Sequence, residues 1–166
     1  MVLKKRCEHM NKNILLKWLN WFYTLEMSQV ELYLNQARYS NDAYLASVLL
    51  SMAETETGHA KSIKEIIFKL DSRPMLIDKL LSQIIGFIPG RLSSFIGNYN
   101  LLWYNYIQES VAVNDYRFFL NSLDLNSKID RELAGILLNN MIEEDLHRLW
   151  FKGQRDSLKT TAGSPD

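Results

Sequence analysis

Apolar residues return every three or four positions along almost the whole chain, and nowhere do they alternate strictly between hairpin-forming dipeptides. That period suits one face of an α-helix and not a half-buried strand. The pattern predicts an all-α protein with long helices over about 13–39, 42–70, 98–123 and 127–156. Ser40-Asn41-Asp42 ends the first helix and can cap the second, Asp71-Ser72-Arg73-Pro74 breaks the chain, and Asp124 to Ser127 closes the third. Residues 1–12 read as an N-terminal tail and 157–166 as a disordered C-terminal tail, leaving one domain over 13–156. Residues 74–97 form a long apolar crossover between helices two and three. In it, MLIDKLLSQIIGFIPGRLSSFIG reads as a short amphipathic helix, a Gly/Pro break and a second apolar stretch. Short loops at both ends with one long connection between them describe a four-helix bundle made of two antiparallel pairs.

Charged residues interrupt these stripes at regular places. Glu26 shares a face with Leu19, Phe22 and Tyr33, whereas Glu31 lies off that face and reads as solvated. Glu56 and His59 fall in line with Leu49, Met52 and Ile63. Glu109 falls in line with Leu102, Tyr106, Val113 and Tyr116, and Glu144 and His147 with Leu137, Met141 and Phe151. Each long helix thus turns one glutamate inward, and two of them add a histidine one turn later. A carboxylate in an apolar interior is strongly disfavoured unless a cation compensates it. Two divalent metals would neutralise four carboxylates, with two neutral imidazoles completing the coordination. The order Glu26, Glu56-x-x-His59, Glu109, Glu144-x-x-His147 has the form of a bundle dimetal site, one Glu from each of two helices and a Glu-x-x-His from each of the others.

A single Glu-x-x-His on a helix is common and usually means nothing. Here both histidines that lie inside helices have a glutamate three residues before them, which shuffling ten glutamates gives well under about 1% of the time. His9, beside Cys7 and Glu8, reads as part of a polar tail. Carboxylate oxygens with one imidazole per metal favour two iron ions, with manganese as the alternative, over zinc. Glu56 and Glu144 are the candidates to bridge both metals, and Glu26 and Glu109 to bind terminally. All four glutamates count as catalytic candidates.

Composition changes this picture little. Acidic and basic residues balance at 19 each, so no charge excess points to nucleic acid. The lone Cys7 supports neither a disulfide framework nor a thiolate metal site, and suits a reducing compartment. No signal peptide is read at the basic N-terminus, and no window is long and apolar enough to span a bilayer.

These motifs resemble the demethoxyubiquinone hydroxylase family of ferritin-like di-iron proteins over most of residues 20–152. The matching stretches are Glu26 with Tyr33, MAETETGHAKSIKEIIFKL with Glu56 and His59, Glu109 with Tyr116, and EEDLH with Glu144 and His147. The chain departs from the usual pattern of that family at Tyr23-Thr24-Leu25, Ser110 and Asp115. The resemblance implies a ferritin-like bundle and an O2-dependent monooxygenase that hydroxylates a quinone or related lipid-soluble ring. It also places IIGFIPGRL where that family meets the membrane. A peripheral position on the inner, cytoplasmic face of a membrane follows, with residues 75–96 as the contact. On the residues alone, the same segment serves equally as a lid over the bundle or an oligomer contact.

Electrons would come from an external donor, since no nucleotide-binding fingerprint is present. A homo-oligomer is compatible with the sequence. Two rivals use the same residues: a rubrerythrin- or ferritin-like protein that oxidises Fe(II) or reduces peroxide, and a non-enzymatic, membrane-docked scaffold with structural metals.

Overall fold

The computed structural model describes the backbone of residues 11–76, 79–125 and 128–162, and side chains throughout these except at 79–96, 129 and 160–162. Its elements are α1 (Lys12–Tyr39), α2 (Ala43–Lys69), α3 (Lys79–Leu120) and α4 (Lys128–Ala162), with no strand among the described residues. Local chemistry sets the first boundaries. The Asn11 side chain accepts from the backbone of Asn13 to start α1, and Asp42 accepts from the backbone of Leu45 at 3.0 Å to start α2. The α2 helix closes with backbone bonds at Leu70, after which Asp71 takes φ 53° and turns the chain away.

Two elements differ from the sequence expectation. The break expected around Gly86 to Gly90 does not occur. Helical backbone runs from Lys79 to Gly97, where φ 72° and ψ 158° interrupt α3. Glycine and proline inside a helix penalise it without forbidding it, whereas that combination of angles is open in practice only to glycine. The α4 helix also continues past residue 156 to Ala162, so residues 157–162 are helix and not the start of a tail. Beyond Met75 and Leu76, the side chains of the expected membrane segment 75–96 lie outside the described residues, as does His9.

The α1 helix packs on both α2 and α3, and α4 packs on α3, while α2 and α4 approach each other only sparingly. Two apolar clusters fill the interior. One gathers Leu19, Phe22, Ile63, Tyr116, Phe119 and Leu137; the other gathers Leu32, Tyr33, Leu49, Met52, Leu102 and Phe151. The polar layer described next lies between them.

Candidate metal centre

All six candidate ligands enter that layer. Glu26, Glu56, Glu109 and Glu144 have no exposed surface, His59 is buried, and the His147 side chain keeps 11% exposure. They fall into two overlapping groups: Glu26, Glu56, His59 and Glu144, and Glu56, Glu109, Glu144 and His147. Within each group one donor atom per residue lies within 4.8 Å of the others. Glu56 and Glu144 belong to both groups, the placement expected of bridging carboxylates. Glu31, read from the sequence as solvated, is exposed.

The donor atoms are arranged for a cation. The Nδ1 of His59 lies 2.8 Å from Glu56, 3.1 Å from Glu144 and 3.4 Å from Glu26. One nitrogen cannot donate to three oxygens. Its Nε2 is 2.6 Å from Glu143, a half-exposed carboxylate at the α2–α4 seam. With a cation in the layer, Glu143 would accept the Nε2 proton of a neutral ring and leave the Nδ1 lone pair for the metal. The Nδ1 of His147 likewise sits 2.8 Å from Glu56 and 3.8 Å from Glu109 without making a hydrogen bond. Glu26 Oε2, both oxygens of Glu56, and Glu109 Oε2 are buried without a hydrogen-bond partner. Such atoms cost roughly 1–3 kcal/mol each, and more when charged. Among the described residues no lysine or arginine reaches them, so the residues fit a pair of divalent cations held by oxygen and imidazole nitrogen.

The same deficit of positive charge shows in the titration of the metal-free cluster. Burial, followed by the charge of Glu144, pushes Glu56 up to about 8, against the pull of His59. Burial and the Glu144 charge also hold Glu26 and Glu109 well above the carboxylate range. Glu144 is buried as well, but hydrogen bonds from Glu109 and His59 outweigh that and bring it down to about 2. Burial lowers the His59 imidazole, and the close carboxylates of Glu144, Glu26 and Glu56 more than reverse this. His147 is lowered by burial, with the Glu144 charge opposing. Without metal, the site therefore gathers protons in place of cations.

A second layer of side chains orients the ligands. The Tyr33 hydroxyl on α1 donates to Glu109 on α3, and the Tyr116 hydroxyl on α3 donates to Glu26 on α1. Each tyrosine stands seven residues after the glutamate on its own helix and serves the glutamate on the other, an approximate two-fold exchange. Gln29 donates to Glu144 at 3.2 Å, and Asn140 donates to the Tyr116 hydroxyl at 3.3 Å. Both tyrosines stand in the stretches that carry the family resemblance, but their role as donors to the opposite glutamate was not read from the sequence. Gln29 was not singled out, although Glu26-x-x-Gln29 repeats on α1 the spacing that carries the histidines on α2 and α4. Glu143 left no signal, since an acid beside an acid on a helix ordinarily faces water. The departures from the family pattern serve local structure: Asp115 accepts from the Trp21 indole at 2.9 Å, and Thr24 and Ser110 donate to the carbonyls of Asn20 and Tyr106.

Among solved structures, the chain is similar to the bacterioferritin of Desulfovibrio desulfuricans, studied at its diiron site. The identity is 19%, the match covers 90% of this chain and 82% of that one, and the TM-score is 0.71. That likeness establishes a ferritin-like bundle. Comparison with curated proteins finds no match. The buried carboxylate–imidazole cluster suits iron by the chemistry of its donors, and nothing in the comparisons supports manganese. The sequence profile of the ubiquinone biosynthesis protein COQ7 family matches residues 24–161, with all six candidate ligands inside it, and the chain belongs to that family of di-iron hydroxylases.

Proposed function

We propose that this chain is an O2-dependent di-iron monooxygenase that hydroxylates a lipid-soluble quinone ring. The observation that carries the reading is the pair of four-residue groups sharing Glu56 and Glu144, in a chain of a ubiquinone-biosynthesis family. Glu26, Glu56, His59 and Glu144 would hold one iron, and Glu56, Glu109, Glu144 and His147 the other. When bound, the two irons would supply two electrons, drawn from the external reductant, to O2, so that one oxygen atom enters a ring C–H bond and the other leaves as water with two protons.

The chain itself does the positioning. Glu143 takes the Nε2 proton of His59 and leaves Nδ1 free for metal. Tyr33 and Tyr116 fix one oxygen each on the two terminal carboxylates, which keeps the remaining oxygen aimed inward. The apolar clusters on either side keep bulk water from the layer. An external reductant supplies the electrons. Residues 75–96, whose described edge Met75 and Leu76 is exposed, rest on the membrane that holds the substrate, on its cytoplasmic face. None of the described helices is long and apolar enough to cross a membrane.

The test is anaerobic Fe(II) loading followed by turnover of a short-chain quinone analogue under isotopically labelled O2. Two irons per chain and label in the product are expected. Glu56→Ala or Glu144→Ala should lose both irons, whereas Glu26→Ala or Glu109→Ala should lose mainly one. Absence of stoichiometric iron would sink the site. Iron-dependent consumption of O2 with no labelled quinone would transfer the reading to Fe(II) oxidation or peroxide reduction.

A further inference from the structure

The shift along the chain that carries Glu56 onto Glu144 and His59 onto His147 also carries Thr55 onto Glu143. That third pair breaks the repeat. Glu143 meets the Nε2 of His59 at 2.6 Å across the α2–α4 seam. Thr55 holds the equivalent place toward the other histidine, but its hydroxyl turns back to the Ser51 carbonyl at 3.2 Å. Among the described residues, His147 makes its close contacts with carboxylates through Nδ1 alone, so no acid stands behind its outer nitrogen. The inner nitrogens differ in the same direction. Three carboxylates, Glu56, Glu144 and Glu26, lie within 3.4 Å of the Nδ1 of His59. The Nδ1 of His147 has only Glu56 so close, at 2.8 Å, with Glu109 at 3.8 Å. The His59 side chain keeps 4% exposure and that of His147 keeps 11%.

We propose that Glu143 makes the two metal positions unequal: the His59 position fills first and holds firmly, and the His147 position fills last and empties first. The inference rests on the di-iron reading and adds to it an order of loading and the residue that sets it. A metal-bound imidazole presents the lone pair of one nitrogen and keeps a proton on the other. A carboxylate on that proton fixes the angle of the ring and strengthens the ligating nitrogen as a donor. His59 has such a partner in place before metal arrives. His147 has no side chain to hold its ring and must settle its angle as metal binds. Glu143 touches the histidine and not the metal, so it is a positioning residue. It is half exposed, and the apolar core does not depend on it. At limiting Fe(II) the chain then collects in a one-metal form, and occupancy of the His147 position follows the free iron concentration.

Anaerobic calorimetry of the full chain with Fe(II) tests the order. Two binding steps are expected, separated by about tenfold or more. Glu143→Leu should weaken the first step by about tenfold to a hundredfold and draw the two together. Glu143→Gln, whose amide oxygen can still accept from Nε2, should keep most of the separation. Thr55→Glu gives His147 the partner it lacks and should tighten the second step by a similar factor, a gain that misfolding cannot imitate. With one equivalent of Zn(II) as a diamagnetic stand-in, NMR of nitrogen-labelled histidines should show His59 bound and His147 free. Two irons held with equal affinity, or a first metal at His147, overturns the proposal and leaves the di-iron reading standing. So does a second step unchanged by Thr55→Glu. Binding of no iron at all removes both.

Discussion

The two apolar clusters that enclose the carboxylate–imidazole layer are related by the same approximate two-fold that exchanges Tyr33 with Tyr116. Leu19, Ile63, Leu137 and Tyr116 in one answer to Leu102, Phe151, Leu49 and Tyr33 in the other. The correspondence fails one turn beyond each tyrosine. On one side Phe22 and Phe119 meet edge to face at 5.6 Å, and Phe22 stacks on Tyr116 at 4.3 Å. On the other side the equivalent positions hold Asn105 and Gln36, buried amides that exchange hydrogen bonds of 2.9 and 2.7 Å. The ligand chemistry tolerates either backing. What the difference changes is how each half is held: the aromatic half by area and shape, the amide half by direction and register.

The largest break in that comparison is to give the aromatic half one piece of the amide half. Phe22→Asn removes a stacked ring and buries an amide without a partner, and should cost about 4 kcal/mol or more in chemical denaturation of the metal-free protein. Phe22→Asn with Phe119→Gln recreates the reciprocal pair and should cost clearly less than the two single changes added together. Strict additivity would mean that the two halves do not share a geometry.

The ligand layer between the halves has its own asymmetry, and pH reads it. Glu56 and Glu144 occupy equivalent places, but one is pushed up to about 8 and the other brought down to about 2. Between the ordinary carboxylate value of 4.5 and about 8, the folded metal-free chain binds protons on Glu56 that the unfolded chain has released. Its stability is therefore greatest below that window and falls as pH rises through it. Glu26 and Glu109, also raised, add in the same direction. Melting of the metal-free protein should drop by roughly 5 °C or more from about pH 5 to about pH 8. Iron-loaded protein should lose this slope, because metal binds the deprotonated carboxylates and its affinity rises with pH. Parallel melting curves for the two forms would contradict the proton count assigned to the layer.

These contrasts separate what the chain discloses from what it hides. The inward glutamates were legible because a charge in the middle of an apolar stripe has few explanations, and the bundle because its period is unbroken for tens of residues. Gln36 and Asn105 were not legible. An amide at one helical position looks the same whether it meets water or another amide, and only the tertiary pairing of α1 with α3 decides. Glu143 was hidden for the same reason, its partner His59 lying 84 positions away. The kink shows a different limit. Gly86, Pro89 and Gly90 carry the stronger local signal, but the break falls at Gly97, where the chain must leave the crossover and enter the bundle.

The amide pair can be broken from its own side with a smaller effect. Gln36→Leu leaves the Asn105 amide buried and unpaired, and should cost about 2 kcal/mol in denaturation. Adding Asn105→Leu removes the orphan and should recover most of that loss. The double variant then resembles the aromatic half, apolar on both helices, and the metal content should not change. If the double change is as costly as the single, the pair does more than satisfy itself and takes part in setting the register of α1 against α3.

The smallest effect concerns Gln29. Its counterpart on α3 under the same two-fold is Ala112, buried and unable to donate, so Glu144 has an amide donor and Glu56 has none. Gln29→Ala makes the two shared carboxylates, Glu56 and Glu144, alike on this side. A hydrogen bond to a carboxylate of this kind is worth about 1.5 kcal/mol or somewhat more, so the second-bound metal should weaken by roughly tenfold with the fold unaffected. Titration with Fe(II) under anaerobic conditions resolves the two binding steps. A wider gap between them after the substitution would mean that Gln29 steadies the layer as a whole. A narrower one would mean that Gln29 makes the two metal positions unequal.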